Sequence, residues 1–216
     1  MPWILNSRGL ALAAAAVVIA ACQTAGPKET PVSADMPVIE APMEYPEGTV
    51  IHAITNGEPT SRELIAKEGT RETWRRDNGC TFTRDSQYDR VFSPSIAWRD
   101  CNSTGTIRIR EKQGGLWPMQ VGMTVSYDAV GDTQGGGSNW SADYDCEVAG
   151  TARIEVAAGA FDTYRVECRT PWRRMTAYVA PGVRRIVHFQ QEPTRANSNS
   201  PRMTWQFVRV EPPPSS

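Results

Sequence analysis

The sequence predicts an all-β protein: a single domain of antiparallel strands, arranged as a curved sheet, a half-barrel or a sandwich. Short runs rich in Val, Ile, Thr, Tyr and Trp recur along the chain. They are separated by Gly, Pro, Asn and Asp, which is typical of strands and their turns. Helical periodicity is scarce. The segment between two Pro-rich ends, residues 47–210, is long enough for one domain with its own core.

The chain begins with a signal for export. Arg8 supplies a positive charge, and Leu10 to Ala21 form an unbroken apolar run of about twelve residues, the length of the central region of a signal peptide. A helix that spans a membrane needs about 20 apolar residues, so this run is too short for a transmembrane anchor. Residues 1–21 are therefore expected to be cleaved.

The tetrapeptide Ile19-Ala20-Ala21-Cys22 resembles the lipobox of bacterial lipoproteins. The resemblance implies that Cys22 becomes a lipid-carrying N-terminus with three acyl chains. Each buried methylene contributes about 0.8 kcal/mol, so such an attachment is effectively permanent. Gln23 stands where inner-membrane lipoproteins of enterobacteria have Asp, which implies the outer membrane, facing the periplasm. The alternative is an ordinary secretory signal and a free periplasmic or secreted protein.

Pro-rich segments flank the domain. Residues 22–46 contain five prolines and little apolar periodicity, so we expect a semi-extended tether. At about 3.1 Å per residue it could hold the domain up to roughly 70 Å from the membrane. The last residues, 211–216, are expected to form a disordered tail.

Strand signals fill the segment between the tether and the tail. The predicted strands, of which neighbours can merge, are 49–54, 63–67, 70–76, 80–84, 95–101, 104–111, 123–130, 141–148, 151–157, 161–169, 173–179, 183–190 and 202–210. Gly114-Gly115 and Gly135-Gly136-Gly137 are breaks. Ala180-Pro181-Gly182-Val183 fits a type II turn, which takes Pro at its second position and Gly at its third.

The clearest element is a hairpin over residues 144–168. Even positions from Tyr144 onward are mainly apolar and odd positions mainly polar, so one face is buried and the other is in water. A hairpin centred near residue 157 brings Cys146 opposite Cys168 and Asp145 opposite Arg169. Gly150 would bulge or bend the long strand. If the chain turned at Ala149-Gly150 instead, the two cysteines could not pair.

Four cysteines remain besides Cys22: Cys80, Cys101, Cys146 and Cys168. The periplasm is oxidising, so an even number of cysteines predicts two disulfides. The sequence contains no CxxC motif, which argues against a redox site or a zinc site. The spacings favour Cys80 with Cys101 and Cys146 with Cys168, although four cysteines allow three pairings. Each bridge would stabilise the fold by about 3 kcal/mol.

Two stretches resemble uncharacterised proteobacterial envelope proteins. One runs from Val148 to Val166 and contains the string Val156-Ala157-Ala158-Gly159-Ala160-Phe161; the other runs from Leu116-Trp117-Pro118 to Gly122. The resemblance covers about residues 115–190. It implies a curved antiparallel sheet loosely akin to the half-barrels of outer-membrane lipoprotein carriers. It carries no catalytic residue, because its glycines supply turns and its Phe packs a hairpin.

Composition and motifs exclude several functions. Removal of Arg8 leaves 22 basic and 24 acidic residues, a net charge of −2, so nucleic acid is not an expected partner. The chain has no GxSxG, HExxH, phosphate-binding loop or dinucleotide fingerprint. We therefore predict no catalytic residues, no metal and no cofactor, and expect a protein that is not an enzyme.

Titratable and aromatic residues favour structure over chemistry. His52 and His188 could bind zinc on neighbouring strands, but unrelated structural roles are the preferred interpretation. The acids Asp143, Asp145 and Glu147 lie opposite an apolar face, so a solvated face is preferred over a calcium or acid–base site. Most of the tryptophans are expected in the core or its rim, with an aromatic surface for glycan or lipid as the alternative.

An Arg-rich stretch is the predicted contact surface. Residues 165–209 hold nine basic and two acidic residues, a local charge of +7. We predict that Arg173, Arg174, Arg184 and Arg185 bind phosphates or an acidic partner. The sequence thus favours a non-catalytic envelope module that binds a protein, glycan or lipid. A carboxylate-dependent hydrolase of envelope substrates and a carrier of acyl chains are the alternatives.

Overall fold

The computed structural model describes residues 27–33, 35–88, 94–134, 138–195 and 200–214. The predicted signal peptide and Cys22 lie outside these ranges, as does the Gly135-Gly136-Gly137 break. Within the described ranges, no helix has the length and apolarity needed to cross a membrane.

Twelve strands and two short 3-10 turns are the regular elements of the described residues. The strands are β1 (Val50–Thr55), β2 (Glu58–Glu68), β3 (Arg71–Arg76), β4 (Thr81–Asp85), β5 (Ala97–Arg99), β6 (Thr104–Gly114), β7 (Thr124–Gln134), β8 (Ser138–Val156), β9 (Gly159–Arg169), β10 (Arg173–Ala180), β11 (Arg185–Pro193) and β12 (Met203–Glu211). The 3-10 turns are Ser86–Tyr88 and Pro181–Val183.

The sheet closes into a barrel. Each strand pairs antiparallel with the next one along the chain, and β1 also pairs with β12, where Val50 lies opposite Glu211. The predicted all-β antiparallel domain is confirmed, with a sheet that curves until its ends meet. This closure leaves no unpaired edge at β1 or β12, and an unpaired edge is what would otherwise invite aggregation.

The predicted hairpin is confirmed in its register. Strand β8 is 19 residues long and joins two segments predicted separately. The pairing of β8 with β9 shifts between Val148 and Gly150, which is the expected bulge. Cys146 lies opposite Cys168, so the alternative turn at Ala149-Gly150 is wrong.

The predicted type II turn at residues 180–183 is wrong. Pro181–Val183 form a 3-10 turn, in which the Arg184 N–H donates to the Pro181 carbonyl at 3.2 Å. The left-handed residue is Arg184, with φ of 46°, whereas a type II turn would have required that conformation at Gly182. The left-handed residue thus lies two positions later than predicted, directly before the first residue of β11, Arg185.

Two clusters of buried side chains form the core. The first is built mainly by β7–β10 and includes Tyr127, Tyr144, Val148, Val166 and Val179. The second is built by β1–β4, β10–β12 and the far end of β8, and includes Leu64, Trp74, Phe82, Ile154 and Phe207. Because the interior holds packed side chains, the barrel is not an open tube.

Residues 27–33 and 35–46, which we call the strap, lie against the barrel and differ in this from the predicted tether. Thr30 exchanges two backbone hydrogen bonds with Arg153, of 3.0 and 2.8 Å, on the part of β8 that β7 does not cover. Ile39 is only 2% exposed, and its carbonyl accepts from Met119 at 2.9 Å. Burial of this apolar side chain and pairing of these backbone groups stabilise the docked strap.

The C-terminal end also differs from the predicted tail. Glu211 is the last residue of β12. Pro213 contacts Gly48, where an added Cβ would lie 2.9 Å from the proline Cβ. The domain therefore extends past the predicted boundary at residue 210, and residues 215–216 lie outside the described part of the chain.

Candidate functional site

A cavity of about 70 Å³ lies between the strap, strands β1–β4 and strands β10–β12. Its charged lining residues are Arg62, Glu72, Arg84 and Arg185, with the exposed Arg184 at its edge. Its aromatic lining residues are Tyr45, Trp74, Trp117, Trp205 and Phe207. We call this cavity with its four inner charged residues the arginine chamber.

Strand alternation carries these charged residues inside. Arg62 lies two residues from the fully buried Leu64, and Arg84 two residues from the buried Phe82. Glu72 is itself only 5% exposed. Side chains two apart on a strand share a face, so the pattern that builds the second core cluster also turns these groups inward.

Aromatic rings contact the guanidinium groups. The Arg62 guanidinium carbon lies 5.1 Å from the centre of the Trp74 ring and 5.5 Å from that of Trp205. The Arg185 guanidinium carbon lies 5.2 Å from the Tyr45 ring centre and 4.9 Å from that of Phe207. These cation–π contacts stabilise buried cations without using their N–H groups as hydrogen-bond donors.

Several chamber N–H groups have no acceptor. The Nε atoms of Arg62 and Arg84 and the Nη1 atom of Arg185 are buried without a hydrogen-bond partner among the described residues. A buried donor that loses its contact with water and gains no acceptor costs about 1–3 kcal/mol. The chamber is therefore complementary to an acceptor-rich, negatively charged group.

The chamber is cationic at neutral pH. Burial lowers the pKa of Arg62 to about 10. Burial, followed by the positive charges of Arg62 and Arg76, lowers the pKa of Arg84 to about 9. Burial also lowers the pKa of Arg185. Both pKa values lie above neutrality, so Arg62 and Arg84 stay protonated and can bind an anion.

The four arginines predicted to form one contact surface are divided between two ends of a hairpin. Arg173 and Arg174 begin β10, whereas Arg184 and Arg185 lie at its far end, where Arg185 pairs with Ala180. Eight extended residues span about 25 Å. The four residues therefore do not form a single patch, because a whole strand separates its two halves; that they bind a partner stays a prediction.

Each half has its own contacts. Arg173 donates to the Gln191 side chain at 3.3 Å, and the Arg174 guanidinium lies 3.8 Å from Glu192. Of the four arginines, only Arg185 turns its guanidinium between the aromatic rings of the chamber.

The acidic residues considered from the sequence lie on the opposite face. Asp143, Asp145 and Glu147 are exposed, and Asp145 lies opposite Arg169. An open cleft of about 910 Å³ runs over this surface. The acidic side chains that line this cleft lie beside arginines, as is typical of a solvated face.

The two histidines are apart. His52 on β1 lies 3.0 Å from the Glu211 carboxylate. His188 on β11 is buried beside Tyr178, and β12 separates the two strands. Burial lowers the pKa of His188 to about 4. No group of three or more His, Cys, Asp or Glu in the described part of the chain is placed to hold a metal ion.

The cysteines pair sequentially. Cys80 joins Cys101 with their Cα atoms 4.6 Å apart, across the β4–β5 pair. Cys146 joins Cys168 with their Cα atoms 4.1 Å apart, across the β8–β9 pair. Both bridges staple neighbouring strands and lie outside the arginine chamber.

Sequence reasoning missed Arg62, Glu72 and Arg84. A signal for these residues is present in the sequence, since each lies two positions from a large apolar residue on the same strand, β2, β3 or β4, and so shares its face. An isolated arginine on a strand is more often solvent-facing, so the pattern becomes informative only when three strands repeat it.

The fold and the chamber define a closed antiparallel barrel with a cationic cavity.

No family model and no curated protein matches the chain. Among solved structures it is similar to the hypothetical lipoprotein YmcC from Escherichia coli, with a TM-score of 0.48, 10% identity, and coverage of 81% of this chain and 91% of that one. It is also similar to a protein described as exported, with a YmcC-like fold, from Bacteroides fragilis; the TM-score is 0.38, the identity 12%, and the coverage 81% and 99%. Both TM-scores are below 0.5, so neither similarity indicates function.

Proposed function

We propose that this chain is a lipid-anchored envelope protein of the outer membrane whose barrel binds an anionic ligand in the arginine chamber. The observation that carries the proposal is the set of buried N–H groups on Arg62, Arg84 and Arg185 that lack an acceptor. Binding of an anion to such a cavity is favourable, because the anion supplies the missing acceptors.

The location rests on the sequence. The lipobox-like Ile19-Ala20-Ala21-Cys22 supports lipid attachment, and Gln23 supports the outer membrane. Two disulfides support an oxidising compartment such as the periplasm. The docked strap supports a barrel held close to its anchor, since Thr30, Ile39 and Met43 of the predicted tether make backbone hydrogen bonds to the rest of the domain.

Binding is favoured over turnover by the chemistry of the chamber. Guanidinium groups hold an oxyanion well but exchange protons poorly near neutral pH. The charge of Glu72 raises the pKa of Arg62 and of Arg84, so this carboxylate acts on the two cations beside it. The acids considered from the sequence, Asp145 and Glu147, lie on the outer face and not in the chamber.

The size of the chamber also argues against an acyl-chain carrier. Sites for drug-sized apolar molecules measure about 300–1,000 Å³. The chamber measures about 70 Å³, and four arginines and one glutamate line it. It fits a compact charged group better than a lipid tail.

Native mass spectrometry of the full chain, released from membranes in detergent, tests this function. The wild-type protein is expected to carry a bound mass that the double variant Arg62→Met/Arg84→Met lacks. The variant Arg174→Met, which changes an exposed arginine paired with Glu192, is the matched control and should keep that mass. Equal spectra for wild type and double variant would overturn the chamber as the binding site.

A further inference from the structure

We propose that the arginine chamber is a phosphate site, which binds the dianionic phosphate of a phosphomonoester or free phosphate. This inference rests on the proposed binding function and adds the chemistry of the ligand. Free phosphate and a phosphorylated lipid head group present the same tetrahedral oxyanion, so the experiment below includes a probe for each.

The charge of the chamber fits a dianion. The four inner charged residues are three arginines, Arg62, Arg84 and Arg185, and one glutamate, Glu72, with a formal net charge of +2; the exposed Arg184 at the edge is not counted. A phosphomonoester carries close to two negative charges at neutral pH. A carboxylate ligand carries only one negative charge. It would leave one buried positive charge uncompensated, which is unfavourable in a low-dielectric interior.

The directions of the donors fit a tetrahedral group. Arg62 belongs to β2, Arg84 to β4 and Arg185 to β11, so the N–H groups come from three separate strands. A planar carboxylate is satisfied by one guanidinium fork, whereas the three terminal oxygens of a phosphate can accept from several donors at once. The unpartnered donors are distributed over all three arginines.

The dimensions of the chamber set the size of the buried group. A cavity of about 70 Å³ holds a phosphate but not a sugar or an acyl chain. Arg184, which also lines the cavity, is exposed, so the chamber reaches the surface beside the turn that precedes β11. The organic part of a phosphomonoester would project there, past the strap residues Pro42 and Met43.

The aromatic walls fix the arginines without using their donors. The guanidinium group of Arg62 lies over the rings of Trp74 and Trp205, and that of Arg185 over the rings of Tyr45 and Phe207. Rings packed against these groups restrict their rotamers before any ligand arrives. A preorganised set of donors binds more tightly, because less side-chain entropy is lost on binding.

The test is a titration of the full chain in detergent, followed by tryptophan fluorescence and by calorimetry. Inorganic phosphate and glycerol 3-phosphate should each bind saturably at millimolar concentration or below, and acetate at equal ionic strength at least about tenfold more weakly. Arg62→Met and Arg84→Met should each weaken phosphate binding by about tenfold to a hundredfold. Arg174→Met should bind as the wild type does.

Far-UV circular dichroism checks that each variant is folded. If either variant fails to fold, the phosphate assignment is judged from the wild-type titrations alone. Absence of saturation by both phosphate compounds would overturn the phosphate assignment, as would folded Arg62→Met and Arg84→Met variants that bind normally. A bound mass in native mass spectrometry that is lost in the double variant would still support the proposed binding function, so the two failures are distinguishable.

Proteoliposomes identify the source of the phosphate. The full chain is reconstituted into phosphatidylcholine vesicles with or without phosphatidic acid, and inorganic phosphate is titrated into each. Loss of the phosphate response only with phosphatidic acid indicates a lipid head group in the chamber. An unchanged response in both vesicles indicates a soluble phosphate compound. Either result supports the phosphate site, whereas no response in either overturns it.

Discussion

The guanidinium carbon of Arg62 lies 5.1 Å from the centre of the Trp74 ring inside the barrel. The two side chains are on adjacent strands, β2 and β3, and both turn toward the core. The cation lies over the ring, and a cation–π contact of this kind occupies none of the N–H donors of the guanidinium group. This contact explains how a barrel with packed side chains can keep a charged arginine inside.

Loss of the chamber carboxylate is expected to destabilise the empty barrel. Glu72→Gln removes the negative charge that favours the protonated forms of Arg62 and Arg84. Loss of one partner from a buried ionic cluster costs about 3–5 kcal/mol. Chemical denaturation of the full chain should show a loss of this size, partly restored by added phosphate.

Glu63→Gln is the matched control for that experiment. Glu63 lies 2.6 Å from Arg75 on the same strand pair, but both side chains are largely exposed. An exposed ion pair contributes about 0–1 kcal/mol. Equal losses for the two variants would show that the Glu72 charge has no special role in the chamber.

Acid is expected to destabilise the barrel through His188. Burial lowers the pKa of His188 to about 4, from 6.5 for an exposed histidine. Between these two values the unfolded chain binds a proton that the folded chain excludes. The free energy of unfolding therefore falls as the pH drops from 6.5 to 4, by up to about 3 kcal/mol.

Denaturation at several pH values checks this effect. His188→Phe should flatten the acid limb of the stability curve, whereas His52→Gln, which changes the half-buried histidine beside Glu211, should leave it in place. An acid limb that is the same in wild type and His188→Phe would contradict the assignment.

A cross-strand glycine is expected to be essential for packing. Gly131 on β7 lies opposite Trp140 on β8, and an added Cβ would lie 2.2 Å from the indole ring. Gly131→Ala should therefore destabilise the fold by about 1–3 kcal/mol. At Gly150 an added Cβ meets no atom within 4 Å, so Gly150→Ala should change stability by less than about 0.5 kcal/mol. Similar melting temperatures for the two variants would argue against this packing.

Cys22 is expected to carry the lipid anchor. Cells fed a fatty-acid analogue should incorporate it into the wild-type chain, and the labelled protein should fractionate with the outer membrane. Cys22→Ala removes the thiol that accepts the lipid, so its label should disappear. Undiminished labelling of Cys22→Ala would show that the lipobox-like tetrapeptide is not used.

The strand pattern could be predicted from the sequence because it depends on local alternation. The register of β8 against β9 follows from a short turn and matched parity, so Cys146 and Cys168 could be placed opposite each other. Closure of the barrel depends on β1 meeting β12, where Val50 pairs with Glu211 across almost the whole domain. No local signal specifies a contact over that distance.

The chamber and the strap could not be predicted for related reasons. Ile39 is one apolar residue in a Pro-rich segment, and only the barrel provides the surface that buries it. Arg62 and Arg84 have the appearance of surface residues until closure brings Trp205 and Arg185 toward them from the far end of the chain. The predicted Arg patch contained one arginine of the chamber, Arg185, and missed the other two.

Thermal denaturation of the wild type and Arg62→Met/Arg84→Met, each with and without phosphate, tests most directly whether the chamber arginines serve binding. A ligand that binds only the folded state raises its melting temperature. We expect phosphate to raise the melting temperature of the wild type and to leave that of the double variant unchanged. A melting temperature that phosphate shifts in neither protein, or by the same amount in both, would contradict the binding of phosphate by these arginines.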